Sequence, residues 1–173
     1  MDAIQAIMSR ISVRKYSDKE ISDEALQTIL ETGMSGPSCV NARDWSFIVV
    51  RDADTLNKMA DANGRPAEPL RQAKLGILVC GDLDRAFKGA PDYWVIDGSI
   101  AAQNMILAAN ALEIGSVWLG TWPQMDRVKA QSELFHLPET IVPHSVIAFG
   151  YPTEHDDKYK LIFEPNRVHY EKW

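Results

Sequence analysis

The stretch from about Asp92 to Glu113 constrains this chain more than any other. Ile96, Ile100, Ala101, Ala102, Met105, Ile106, Ala108, Ala109 and Leu112 fall on nearly every face of the helix they would form. A helix that is apolar all round cannot lie on a surface, so its own chain encloses it or another subunit covers it. The elements around it follow from pattern. Ile4, Ile7 and Met8 predict a first helix that ends near Ser9. Ser22 is an N-cap before Asp23 and Glu24, opening a second helix that carries Leu26, Ile29 and Leu30 to Gly33. Buried strands are expected at Trp45–Arg51, Leu75–Cys80, Ser116–Thr121 and Ser145–Phe149, with helices at Leu56–Ala62 and Asp126–Phe135. Strands alternate with helices, but there are too few regular βαβ units for a doubly wound sheet.

With 173 residues the chain can bury roughly 70% of its unfolded surface, which suits one domain over 1–173. Beyond Pro152 a polar turn leads into a tail ending in Tyr170 and Trp173, read as a C-terminal extension over 153–173 that packs on a partner subunit. The net charge of -6 argues against a nucleic-acid surface, which would cluster Lys and Arg over a whole face. No apolar run approaches the roughly 20 residues of a membrane span, and the N-terminus lacks a signal-peptide core, so a cytoplasmic protein is expected. Cys39 and Cys80 lack CxxC spacing and are read as unpaired thiols. The four histidines show no ligand spacing, so no metal site is expected.

Against this acidic background Arg10-Ile-Ser12-Val-Arg14-Lys15-Tyr16 is a compact basic segment. Two guanidinium forks flanking a hydroxyl form the donor set that grips a phosphate monoester. A solvated basic turn is the competing reading.

A second segment, Ser35-Gly-Pro37-Ser38-Cys39-Val-Asn41-Ala-Arg43-Asp44-Trp45, gives the first a context. Arg-x-Ser-x-Arg followed by Pro-Ser-x-x-Asn ahead of a tryptophan-led strand resembles the FMN-dependent nitroreductase family. Asp97 to Asn104, Leu112 through Gly120, Gly150-Tyr-Pro152 and the ending Val168 to Trp173 resemble it too. The resemblance implies an α+β fold, a mixed sheet flanked by helices, in an interlocked homodimer with FMN at its interface. It implies electron transfer from NAD(P)H through flavin N5 to a nitroaromatic, quinone or similar acceptor in ping-pong fashion, with no catalytic side chain required because the flavin carries the chemistry.

By the same resemblance, Arg10 and Ser12 hold the FMN phosphate and Arg14 lies towards the pyrimidine edge, where a fixed cation stabilises charge on N1 and O2. Pro37, Ser38 and Asn41 form the loop offered to the flavin from the second subunit. The backbone amides of Leu119 and Gly120 approach N5. The chain departs from the family pattern where Arg43-Asp44 replaces Gln-Pro, and those two side chains could pair with each other. It departs again at Ile162, where many relatives carry an arginine, leaving Lys160 as a candidate replacement. Tyr93 and Trp94 could line a substrate cleft, with core packing as the alternative. Two other functions stay open at this level: a flavin-binding carrier or sensor without turnover, and a phosphate ligand unrelated to flavin.

Overall fold

A computed structural model describes residues 1–154 and 163–173. The first three helices start where the sequence supplies an acceptor for their unpaired amides. Asp2 and Gln5 form a capping box on α1 (Ala3–Ser9). Ser22 caps α2 (Asp23–Met34), and Asp52 accepts from the Thr55 amide at 2.8 Å to open α3 (Ala53–Asn63). The long helix α4 covers Tyr93–Ala111, and α5 covers Met125–Phe135. No described helix is long and apolar enough to cross a membrane.

Four strands, β1 (Trp45–Val50), β2 (Leu75–Asp82), β3 (Gly115–Gly120) and β4 (Ile141–Gly150), form an antiparallel sheet in the order β1-β2-β4-β3. A parallel bridge between Ser12 and Ser116 adds the N-terminal segment to the β3 edge. Strand β4 begins four residues before the expected Ser145, although Pro143 cannot donate to a ladder. The register shifts between Val79 and Cys80, directly across from Pro143, and such an irregularity accommodates the missing donor.

Both faces of the sheet are covered, which explains why every residue from Leu75 to Gly81 is buried. On one face α2 and α4 bring Ile29, Met105, Ile106 and Ala109 onto Ile77, Ile147 and Phe149. On the other, α3, α5 and the turns at Arg65–Gln72 set Leu56, Met59, Leu70 and Leu134 against Leu78, Val117 and Val146. The result is an α+β domain with a central sheet flanked by helices.

Helix α4 is enclosed on one side only. Trp94, Asp97, Gly98, Ala101, Ala102, Met105, Ile106 and Ala109 are buried, while Ile96, at 50% exposure, and Leu112, the residue that caps the helix, face outward. A cavity of about 390 Å³ lined by Val95, Ile96, Ile100 and Asn104 opens on that outer side. The tail ends with His169 and Trp173 stacked at 4.2 Å, and Phe163, Tyr170 and Trp173 are exposed. Lys160 and Ile162 lie outside the described residues.

Candidate functional site

The chain between α1 and α2 runs extended, as the sequence suggests, because hydrogen bonds tie it to β3, to β4 and to the residue that follows β4. The Val13 amide donates to the Ser116 carbonyl at 2.9 Å, and Ser17 donates to Tyr151 at 2.8 Å. The buried Tyr16 hydroxyl donates within this turn to Val13 at 2.7 Å, with the Ala148 carbonyl 3.3 Å away. Burial pushes the Tyr16 phenol well above its ordinary range, so it stays protonated and serves as a donor. Three donor side chains are thereby brought to the β3 edge. Arg10 is half-buried, Ser12 and Arg14 are exposed, and Arg14 Nη1 donates to the Ser12 carbonyl at 3.2 Å.

Leu119 and Gly120 stand at the other end of the same strand, four residues beyond Ser116 and so about 13 Å along it. Leu119 is buried in the core. A Cβ built on Gly120 meets nothing within 4 Å, so the backbone there faces open space. Beside Arg14 lies a cavity of about 650 Å³, lined also by Lys15, Arg65, Glu68 and Arg71. Arg71 is tied to Asp61 at 2.6 Å and Glu68 at 3.1 Å, whereas Arg65 adds a further guanidinium to the cavity, one that no local sequence pattern singles out.

The loop of Pro37, Ser38 and Asn41 is not brought to these groups within one chain. It precedes β1, on the sheet edge opposite β3, and three inter-strand spacings make roughly 14 Å. Ser38 Oγ accepts from the Arg43 amide at 2.9 Å, and Asn41 Oδ1 accepts from Arg43 Nε at 3.0 Å. The Asn41 amide nitrogen is left as its outward donor. Val40 sits at φ 45°, a left-handed conformation that is costly for a β-branched residue and that recurs at functional loops.

The expected pairing of Arg43 with Asp44 does not occur. Arg43 turns outward to Asn41, while Asp44 is buried with neither carboxylate oxygen hydrogen-bonded among the described groups. Its carboxyl lies against that of Asp97, which accepts from the Cys39 amide at 2.9 Å. Burial first, then the Asp97 charge, push the Asp44 pKa up to about 6. Tyr93 is exposed, but Trp94 belongs to the core, packed edge-on against Trp122 at 5.0 Å between ring centroids. Cys39 and Cys80 are free, and burial pushes the Cys80 thiol up to about 12.

An elongated anionic ligand fits this arrangement: cationic donors and a hydroxyl at one end of β3, an open glycine backbone at the other. The space that any side chain at Gly120 would fill is free. A sequence model described as the Nitroreductase family matches residues 7–151. A protein of Archaeoglobus fulgidus, provisionally named an NADH dehydrogenase/NAD(P)H nitroreductase, is 44% identical over 174 residues, covering 99% of each chain. The FMN reductase [NAD(P)H] of Bacillus subtilis is 26% identical, over 91% of this chain and 68% of its own. Among solved structures, an FMN-dependent nitroreductase of Clostridium difficile superposes with a TM-score of 0.90 at 29% identity, covering 98% of this chain and 99% of its own.

Proposed function

This chain belongs to the nitroreductase family, and we propose how its residues serve the FMN-dependent, NAD(P)H-oxidising reaction of such an enzyme. The observation that carries the reading is the sharing of one strand edge by the Arg10–Arg14 donors and the open backbone of Gly120. Arg10 and Ser12 would hold the phosphate, and Arg14 would lie towards the pyrimidine edge with Arg65 nearby. Leu119 and Gly120 would face the N5 side of the ring. When bound, FMN supplies the electron transfer between NAD(P)H and an acceptor such as a nitroaromatic or quinone.

The protein's part is orientation and electrostatics. A guanidinium held in place by its bond to the Ser12 carbonyl stabilises developing negative charge without having to reorganise. Pro37, Ser38 and Asn41 lie too far from this edge to act within their own chain, and the outer side of α4 leaves the large apolar side chain of Ile96 exposed. Both features support a homodimer in which each copy offers its loop to the other's flavin, with the 153–173 extension packing across.

Arg10→Ala is expected to weaken FMN binding about ten- to a hundredfold, the loss of a charged hydrogen bond of roughly 1.5–3 kcal/mol. Gly120→Val tests the other end. Its side chain enters open space, so the melting temperature should hold while the protein purifies without flavin. A yellow Gly120→Val protein with wild-type FMN affinity would move the ring elsewhere.

NAD(P)H and acceptor are expected to use one cleft in turn, since 173 residues hold no second nucleotide-binding motif. Double-reciprocal plots at several acceptor concentrations should then be parallel, and intersecting lines would require a ternary complex.

A further inference from the structure

The carbonyl of Gly120 is held from outside its strand. Asn63 Nδ2 donates to it at 3.2 Å and Arg127 Nη1 at 2.9 Å. Asn63 is the last residue of α3 and is fully buried. Its other end is committed as well, because the buried Thr121 hydroxyl donates to Asn63 Oδ1 at 2.8 Å. The Gly120 carbonyl can only accept, so Nδ2 must be the end that faces it and Oδ1 is left for the Thr121 hydroxyl; the amide has one workable orientation. Arg127 comes from the first turn of α5, on the same side of the sheet as α3. Two helices thus converge on a single peptide oxygen.

Ordinary folding does not call for this. Gly120 carries no side chain to fix its backbone, and glycine is the residue with the widest choice of conformations. A carbonyl gripped by an amide and a guanidinium fixes the peptide plane after Gly120, and with it the attitude of the backbone that borders the open space. Bonds to charged donors are the stronger kind, so Arg127 contributes most of the grip while Asn63 supplies direction.

We propose that Asn63 and Arg127 are positioning residues for the flavin: by locking the Gly120 carbonyl they hold the Leu119–Gly120 backbone at the angle needed to meet the N5 edge of the ring. This rests on the proposed placement of FMN along β3 and adds to it the two residues that keep that placement productive. Neither residue touches the ring in this account. Their effect passes through the glycine peptide.

The test uses the holoenzyme and two variants. Arg127→Met removes the charged donor but keeps the apolar stem of a partly exposed residue. The double change Asn63→Leu with Thr121→Val removes the second donor and its hydroxyl partner together, leaving no orphaned polar group and no change in charge. Both are expected to retain FMN within about threefold of the wild-type affinity, because the phosphate grip at Arg10 is untouched. Both should lower kcat for NAD(P)H oxidation about tenfold with KM changed less than twofold, as a misoriented reacting centre does. The midpoint potential and visible absorption of the bound flavin should shift in both. Unmoved potential and kcat in the two variants would overturn the inference, as would a potential that moves in Arg127→Met alone, which reports charge and not position. A wild-type protein that neither contains nor takes up FMN would overturn the parent reading, whereas yellow variants with wild-type potentials overturn this one alone.

Discussion

Replacing Trp94 with alanine is expected to destabilise the fold by about 3–5 kcal/mol, the cost of deleting a large buried aromatic without collapse of the space it leaves. Trp94 is 4% exposed in the second residue of α4 and packs edge-on against Trp122 and His144, with ring centroids 5.0 and 6.0 Å away. The sheet is shaped to receive it. A Cβ added at Gly81 would fall 2.7 Å from Trp94 Cδ2, so the strand can approach the indole only because that residue is glycine. His144 is itself packed edge-on by the Trp118 ring, with centroids 5.5 Å apart, so the cluster continues beyond Trp94. Urea unfolding should show a lower midpoint with an unchanged slope. A loss below about 1 kcal/mol would mean that the cluster repacks and does not brace the α4 end of the sheet. Because Trp122 follows Gly120 and Thr121 directly, the same variant should loosen the strand end assigned to the flavin.

The cluster also marks where sequence reading reaches its limit. Trp94 and Tyr93 are neighbours of similar chemistry, and helical spacing alone does not say which points inward; packing against Gly81 decides it. The apolar helix at Asp92–Glu113 was legible because its pattern is local, and so were the caps at Ser22 and the strand cores. The start of β4 was not, since Pro143 and His144 interrupt the apolar run and only the shift opposite them restores the pairing. The Arg10–Tyr16 and Pro37–Asn41 segments stood out by motif. Asn63 and Arg127 did not, because an asparagine before a glycine reads as a turn and an arginine in a first helical turn reads as surface. Their common target, the Gly120 oxygen, lies 57 and 7 residues away and is a backbone atom, which no residue pattern encodes. Asp44 was visible as a departure from the family pattern, but its burial against Asp97 depends on α4 meeting the loop.

Asp44→Asn is expected to stabilise the protein by about 2–3 kcal/mol at pH 8 and to leave it nearly unchanged near pH 4, a dependence that follows from the sign of the displacement. The folded protein holds the Asp44 carboxyl at about 6, above its ordinary value of 3.8, through burial and through the charges of Asp97 on α4 and Asp82 at the end of β2. A raised acid favours folding while it is protonated, so this contribution is present below about pH 4 and is lost as the pH rises through about 6. Asparagine keeps the shape of the protonated acid and cannot ionise. His144 opposes this slope. Burial lowers it to about 4 from 6.5, although its bond with the Val95 carbonyl pulls the other way, so its contribution is present above about pH 6.5 and fades as the pH falls towards 4. In the wild-type protein the two slopes offset each other across that interval. Removing the first should expose the second: the Asp44→Asn variant is expected to lose stability on acidification from pH 6.5 to 4 more steeply than its parent. Urea unfolding at half-unit intervals over this range reads the difference directly. A variant curve parallel to the wild type at every pH would show that Asp44 is not the raised acid.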